Sequence, residues 1–153
     1  MLRISLRGRQ VSKWFDKLTI LSEAEGQIPM TNVQITKHNN SRFDLEERTL
    51  EFSKRIVRLC KELPRNTINH CLVDQIIRSA GSMGANYREA NDALGKKDFT
   101  HRVRIARKET KETLYWLELI IEANPEFKAR MDNIIKECIE LKKIFSTIVE
   151  KSK

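Results

Sequence analysis

The sequence predicts an all-α protein, an antiparallel up-down-up-down four-helix bundle with an N-terminal extension. Three observations carry this. Apolar residues recur at steps of three and four along four successive segments, the period of one helix face. The 153 residues include only five glycines and three prolines, few enough for a mostly helical chain. The breaks between the segments are short, which makes consecutive helices antiparallel neighbours.

The front of the chain stands apart. Residues 1–42 carry seven Lys/Arg and three acids, whereas 43–153 carry 22 and 18. The composition thus divides into a basic extension over 1–42 and a bundle over 43–153. Within the extension, Val11, Trp14, Phe15, Leu18 and Leu21 share one helical face. Gly26, Pro29 and the polar run from Thr36 to Ser41 follow as linker. Met30 is an alternative start, which would leave residues 1–29 as upstream translation.

The first bundle helix is expected to open at Asp44, with Glu47 completing a capping box. Leu45, Phe52, Ile56, Leu59 and Leu63 form its apolar face, and Pro64 stops it. The second is expected from about Thr67 to Leu94, on the stripe Leu72, Ile76, Ala80, Met83, Tyr87, Ala90, Leu94, with Gly95 closing it. Inside it, the run Ser79 to Ala85 is almost all small residues. Its two glycines each cost roughly 1 kcal/mol relative to alanine, so close approach of a neighbouring helix is expected there. The third runs from about Lys96 to Ala123, on Phe99, Val103, Ala106, Thr110, Thr113, Leu117 and Ile120. Asn124-Pro125 reads as an N-cap followed by proline at the first helical position. The fourth helix carries Phe127, Met131, Ile134, Cys138, Leu141, Phe145 and Ile148, the 4-3 seam of a left-handed bundle.

Several function classes lose support at this stage. The longest apolar run is four residues, Leu114 to Leu117, too short for a membrane span. An odd three cysteines at unrelated spacing argue against a disulfide scaffold and for a reducing, cytoplasmic setting. The Glu-x-x-His motif of di-iron bundles is absent, and Asp98-x-x-His101 is its single relative. There is no C-x-x-C, no phosphate loop and no G-x-S-x-G elbow. His38, His70 and His101 fall in a tail, a loop and a charged face. The expectation is a non-enzymatic protein with no cofactor or metal.

The formal net charge is +8. Its sharpest local excess lies between Lys96 and Lys111, where seven Lys/Arg face Asp98 and Glu109. Lys97, His101, Arg104, Lys108 and Lys111 advance by 4, 3, 4 and 3, and so share one face turned away from the apolar stripe. With Arg107, they are the candidate nucleic-acid-binding residues, because a phosphate backbone matches a row of cations. No aromatics interleave with these cations, which points to backbone rather than base contact. Downstream, Tyr115 to Ile121 is apolar nearly all round. Tyr115, Trp116 and Leu119 are candidate oligomer-interface residues; a thick core is the other reading of the same spacing.

The segment Arg78-Ser79-Ala80-Gly81-Ser82-Met83-Gly84-Ala85-Asn86-Tyr87-Arg88-Glu89-Ala90 resembles the R-S-x-x-S-x-G-A-N-Y-x-E-A segment of the four-helix-bundle proteins also called 23S rRNA intervening-sequence proteins. Asp98-Phe99, Ile105-Ala106, Lys108-Glu109, Glu112-Thr113 and Tyr115 to Leu119 are similar to that family's third helix, and Phe52 to Ile56 to its first. The likeness covers about residues 43–153 and leaves 1–42 without a counterpart. It implies a small bacterial protein, an antiparallel bundle and a homopentamer. It also implies RNA or DNA as a partner, and, by likeness to accessory proteins of diversity-generating retroelements, a reverse transcriptase. No catalytic residues come with it. Asn86 and Glu89 are expected to pair with polar groups of the third helix such as Lys108.

Overall fold

The computed structural model describes residues 41–152. The extension, its amphipathic stretch and the alternative start at Met30 lie outside the described residues, apart from the helical backbone of Ser41 and Arg42. Helix α1 spans Ser41–Glu62, α2 Thr67–Asn91, α3 Lys96–Ala123 and α4 Lys128–Lys151, with a 3-10 turn at Pro125–Phe127 before α4. Each helix packs on the next, most closely α2 on α3, and α1 returns to α4 to close the ring. Among the described residues there is no strand, and no helix is long and apolar enough to cross a membrane.

The core lies along the axis of this ring. Phe52 and Ile56 of α1, Ile76, Met83 and Tyr87 of α2, Val103, Leu117 and Ile120 of α3, and Met131, Leu141 and Phe145 of α4 are all essentially inaccessible. The Tyr87 and Phe145 rings meet at 5.5 Å between centroids. The apolar faces expected for α1 and α3 are buried at every position.

The helix ends depart from the expectation, each for a local reason. Helix α1 already runs from Ser41, so Asp44 lies inside the helix and not at its start. Helix α2 stops at Asn91, where Asp92 turns its backbone N–H back to Glu89 and Ala90. Leu94, placed in the α2 stripe by its spacing, is therefore a loop residue, 84% exposed. Gly95 does not close α2; in extended conformation it precedes α3 as its N-cap. Pro125 opens the 3-10 turn rather than α4 itself. At the end of α4 the buried position is Val149, and Ile148 is half-buried.

The small-residue run also resolves differently from expectation. The contact of this run with α3 is made by Ser79 on Thr113, not by the glycines. Ser79 and Thr113 are buried, with their hydroxyl oxygens 2.9 Å apart. Gly81 is exposed, and a Cβ built there meets no atom within 4 Å. Gly84 sits over α1, where a Cβ would make ordinary contact with Thr49 and Ser53 at 3.7–3.8 Å. Ser53 Oγ bridges the same seam, 2.9 Å from the Ala80 carbonyl.

Candidate nucleic-acid interface

Helix α3 repeats its burial with the helical period. Phe99, Val103, Ala106, Thr110 and Thr113 point to the axis, and the neighbouring register carries Lys97, His101, Arg104, Lys108 and Lys111 into solvent. Arg107, half-buried, lies beside this row. At 1.5 Å rise per residue the row from Lys97 to Lys111 spans about 21 Å. The structure therefore brings together all six positions read from the sequence on one outer side of α3.

What distinguishes this row is that cations without an acidic partner repeat along one helix face. Most other arginines are occupied, Arg55 and Arg65 excepted. Arg48 holds Glu137 through two bonds of 2.6 and 3.0 Å. Arg58 pairs with Glu51 at 2.7 Å, and Arg78 with Glu112 at 2.8 Å. Arg88 pairs with Glu46 at 2.8 Å, and Arg130 with Glu62. On α3 itself, Arg102 is drawn off the row toward α2 and meets Glu89 at 2.5 Å, with Asp98 at 3.9 Å on its other side. Among the described residues, Lys97, Arg104, Arg107, Lys108 and Lys111 have no acidic partner.

The pairing expected between α2 and α3 is thereby corrected. Glu89 does reach α3, but its partner is Arg102 and not Lys108. Asn86 stays on its own helix, donating from Nδ2 to the Ser82 carbonyl at 2.9 Å. The register explains both. Glu89 and Arg102 face each other across the antiparallel seam, whereas Lys108 lies on the outer side of α3.

At its N-terminal end the row borders a depression of about 390 Å³. Lys96, Lys97, Thr100, His101, Arg104 and Ser152 line it. Gly95 offers no side-chain cap, so the first-turn N–H groups of a 28-residue helix add positive potential at this end. The Thr100 hydroxyl is turned inward, to the Lys96 carbonyl at 2.8 Å. Cation side chains and helix terminus thus have the same sign.

The proposed interface residues have mixed positions. Tyr115 is 54% exposed. Trp116 and Leu119 are half-buried, and Trp116 packs against the core of its own chain. Other exposed apolar side chains are Leu50 and Val57 of α1, Ile68 and Ile77 of α2, and Leu94 of the following loop. The register fixed by Ser53 and Ala80 sets Val57 opposite Ile77. Ile77 stands out in the sequence as an apolar residue off its stripe, whereas the helical period alone does not find Leu50 and Val57.

Thiol chemistry is quiet in the interior. Burial pushes the Cys138 thiol up to about 12 and the Cys60 thiol up to about 11. Cys138 also lies 3.5 Å from the Thr110 carbonyl as a donor. Neither is a nucleophile near neutral pH. Among the described residues, no three His, Cys, Asp or Glu side chains cluster as a metal site would require.

Comparison with known proteins follows the same lines. No curated protein matches the chain. A crystal structure of a protein of unknown function from the S23 ribosomal protein family of Bacteroides thetaiotaomicron is similar at 36% identity and a TM-score of 0.61, covering 69% of this chain and 97% of that one. The sequence model of the 23S rRNA-intervening sequence proteins matches residues 42–147, which includes the whole basic row, Tyr115 and the small-residue run of α2. On that match, and on the shared bundle, the chain belongs to the 23S rRNA-intervening sequence protein family.

Proposed function

We propose that this bundle binds nucleic acid, as a non-catalytic partner, through the outer face of α3 from Lys97 to Lys111. The observation that carries the reading is the row of cations without acidic partners, in a protein whose other arginines are mostly paired. A cation already held by glutamate gains little by meeting a phosphate. A free one releases the phosphate's counterion and contributes directly. Contact is mainly to the backbone and weak in sequence preference. Self-association, as in a homopentamer, multiplies such a weak site through avidity.

The experiment is binding to structured RNA at low and moderate salt. Reversing Arg104→Glu and Lys108→Glu together weakens binding about ten-fold or more and flattens its salt dependence by roughly two to four counterions. Binding unaffected by the double reversal ends this reading.

A second reading is a protein-interaction module, and the apolar row Leu50, Val57 and Ile77 favours it. This row suits a second copy or a partner protein such as a reverse transcriptase. Recovery of a defined protein complex after nuclease treatment supports it over RNA binding.

A further inference from the structure

The face that carries the cationic row continues past Lys111. One helical step further, on the same face, stands Tyr115, and beyond it the face turns acidic with Glu118 and Glu122. The positions 97, 101, 104, 108, 111 and 115 advance by an unbroken 4-3 alternation. An aromatic ring therefore sits where the row of cations stops.

This ring is held in place. Its centroid lies 5.1 Å from that of Trp116, with the planes at 70°. Trp116 is fixed in turn, because its Nε1 donates to Glu112 Oε1 at 3.3 Å. The same carboxylate oxygen accepts from Arg78 of α2 at 2.8 Å. A chain of contacts from α2 thus sets the Trp116 plane, and Tyr115 leans on it with more than half of its surface in solvent. Among the described residues, the Tyr115 hydroxyl has no hydrogen-bond partner.

We infer that Tyr115 is a stacking platform for an unpaired base. The inference rests on the phosphate-binding reading of the row and narrows its ligand to single-stranded or junction-containing nucleic acid. Bases inside a continuous duplex are already stacked on their neighbours and have no free face to offer. An unpaired base does, and aromatic stacking accepts any of the four. Glu118 and Glu122 repel phosphates beyond the ring, so a strand held by Lys108 and Lys111 turns away at Tyr115. That turn is open to a single strand and costly for a stiff duplex.

The test measures fluorescence anisotropy of a labelled single-stranded RNA of mixed sequence, and of the blunt duplex with its complement. The proteins are the intact chain, Tyr115→Ala, Tyr115→Phe and Lys108→Glu. Tyr115→Ala weakens the single strand about ten-fold and leaves the duplex unchanged, while Tyr115→Phe keeps both. Lys108→Glu weakens both. If Tyr115→Ala changes neither affinity, or both equally, while Lys108→Glu still weakens binding, the stacking role falls and the cationic row stands. If Lys108→Glu has no effect, both fall. A change in sedimentation on Tyr115→Ala assigns the ring to a subunit contact and overturns the stacking role. Tyr115 lies outside the core, so far-ultraviolet circular dichroism of each variant matches that of the intact chain.

Discussion

At the residue scale, the most constrained side chains are two asparagines that the sequence pattern does not single out as partners. Asn69 and Asn124 are each 2% exposed and exchange two amide hydrogen bonds of 2.9 Å. Asn69 also donates to the Pro64 carbonyl at 2.8 Å, and Asn124 to the Ile120 carbonyl at 2.9 Å. The pair ties the α1–α2 loop to the α3–α4 turn. Its members are 55 positions apart, and Asn-Pro is also a common helix start, so local reasoning reads Asn124 as a cap. Asn124 does stand as N-cap residue of the 3-10 turn, without a side-chain cap bond, while the cap of α2 is Asn66, which accepts from the Asn69 backbone at 2.8 Å. Asn124→Ala leaves the buried Asn69 Oδ1 without its donor and costs about 1–3 kcal/mol in denaturant unfolding. Adding Asn69→Ala to it costs less than the sum of the single changes, because they share one interaction.

At the element scale, periodicity reads the helix bodies well and their ends poorly. The α3 face was legible in full because seven successive positions, Phe99 to Ile120, repeat it without interruption. Leu94 misled because a loop residue falls at helical spacing by coincidence. Helix ends are set by single hydrogen bonds, such as those from the Asp92 N–H, which leave little trace in the apolar period. The cationic row was legible for the same reason as the core, since it repeats at the same period. Which cations are free was not, because pairing depends on what the neighbouring helix presents. The small-residue run shows a further limit: sequence marks all of Ser79 to Ala85 as close-packed, and only part of it is. Gly81 faces open space, so Gly81→Ala removes a helix-interior glycine without a clash. The substitution stabilises by about 1 kcal/mol, a rise in Tm of about 4 °C in dilute protein. A loss of stability there locates another chain against Gly81.

For the whole molecule, the fold follows from a closed ring of four helices around one core, and its response to alkali follows from what that core contains. Burial raises the Cys60 and Cys138 thiols above their ordinary value near 9, to about 11 and about 12. In the unfolded chain both ionise first, so the folded state binds more protons over this range. Stability from these thiols is complete below about pH 9 and is lost as pH rises toward 12. Cys138→Ala lowers stability at neutral pH by leaving a small void, yet flattens the alkaline decline in urea titrations between pH 9 and 11.

The amide pair at the end of the bundle has a consequence beyond its hydrogen bonds. The core is built from Ile, Leu, Val, Met and Phe on a repeating face, and such faces slide past one another by a turn at modest cost. The Asn69–Asn124 pair does not repeat. It closes in one alignment of α2 with α3 and leaves two buried amides orphaned in every other. It therefore acts as an index mark, fixing how far α3 is advanced along α2. That alignment lets Glu89 claim Arg102 while Lys97, Arg104 and Lys108 remain outside its reach.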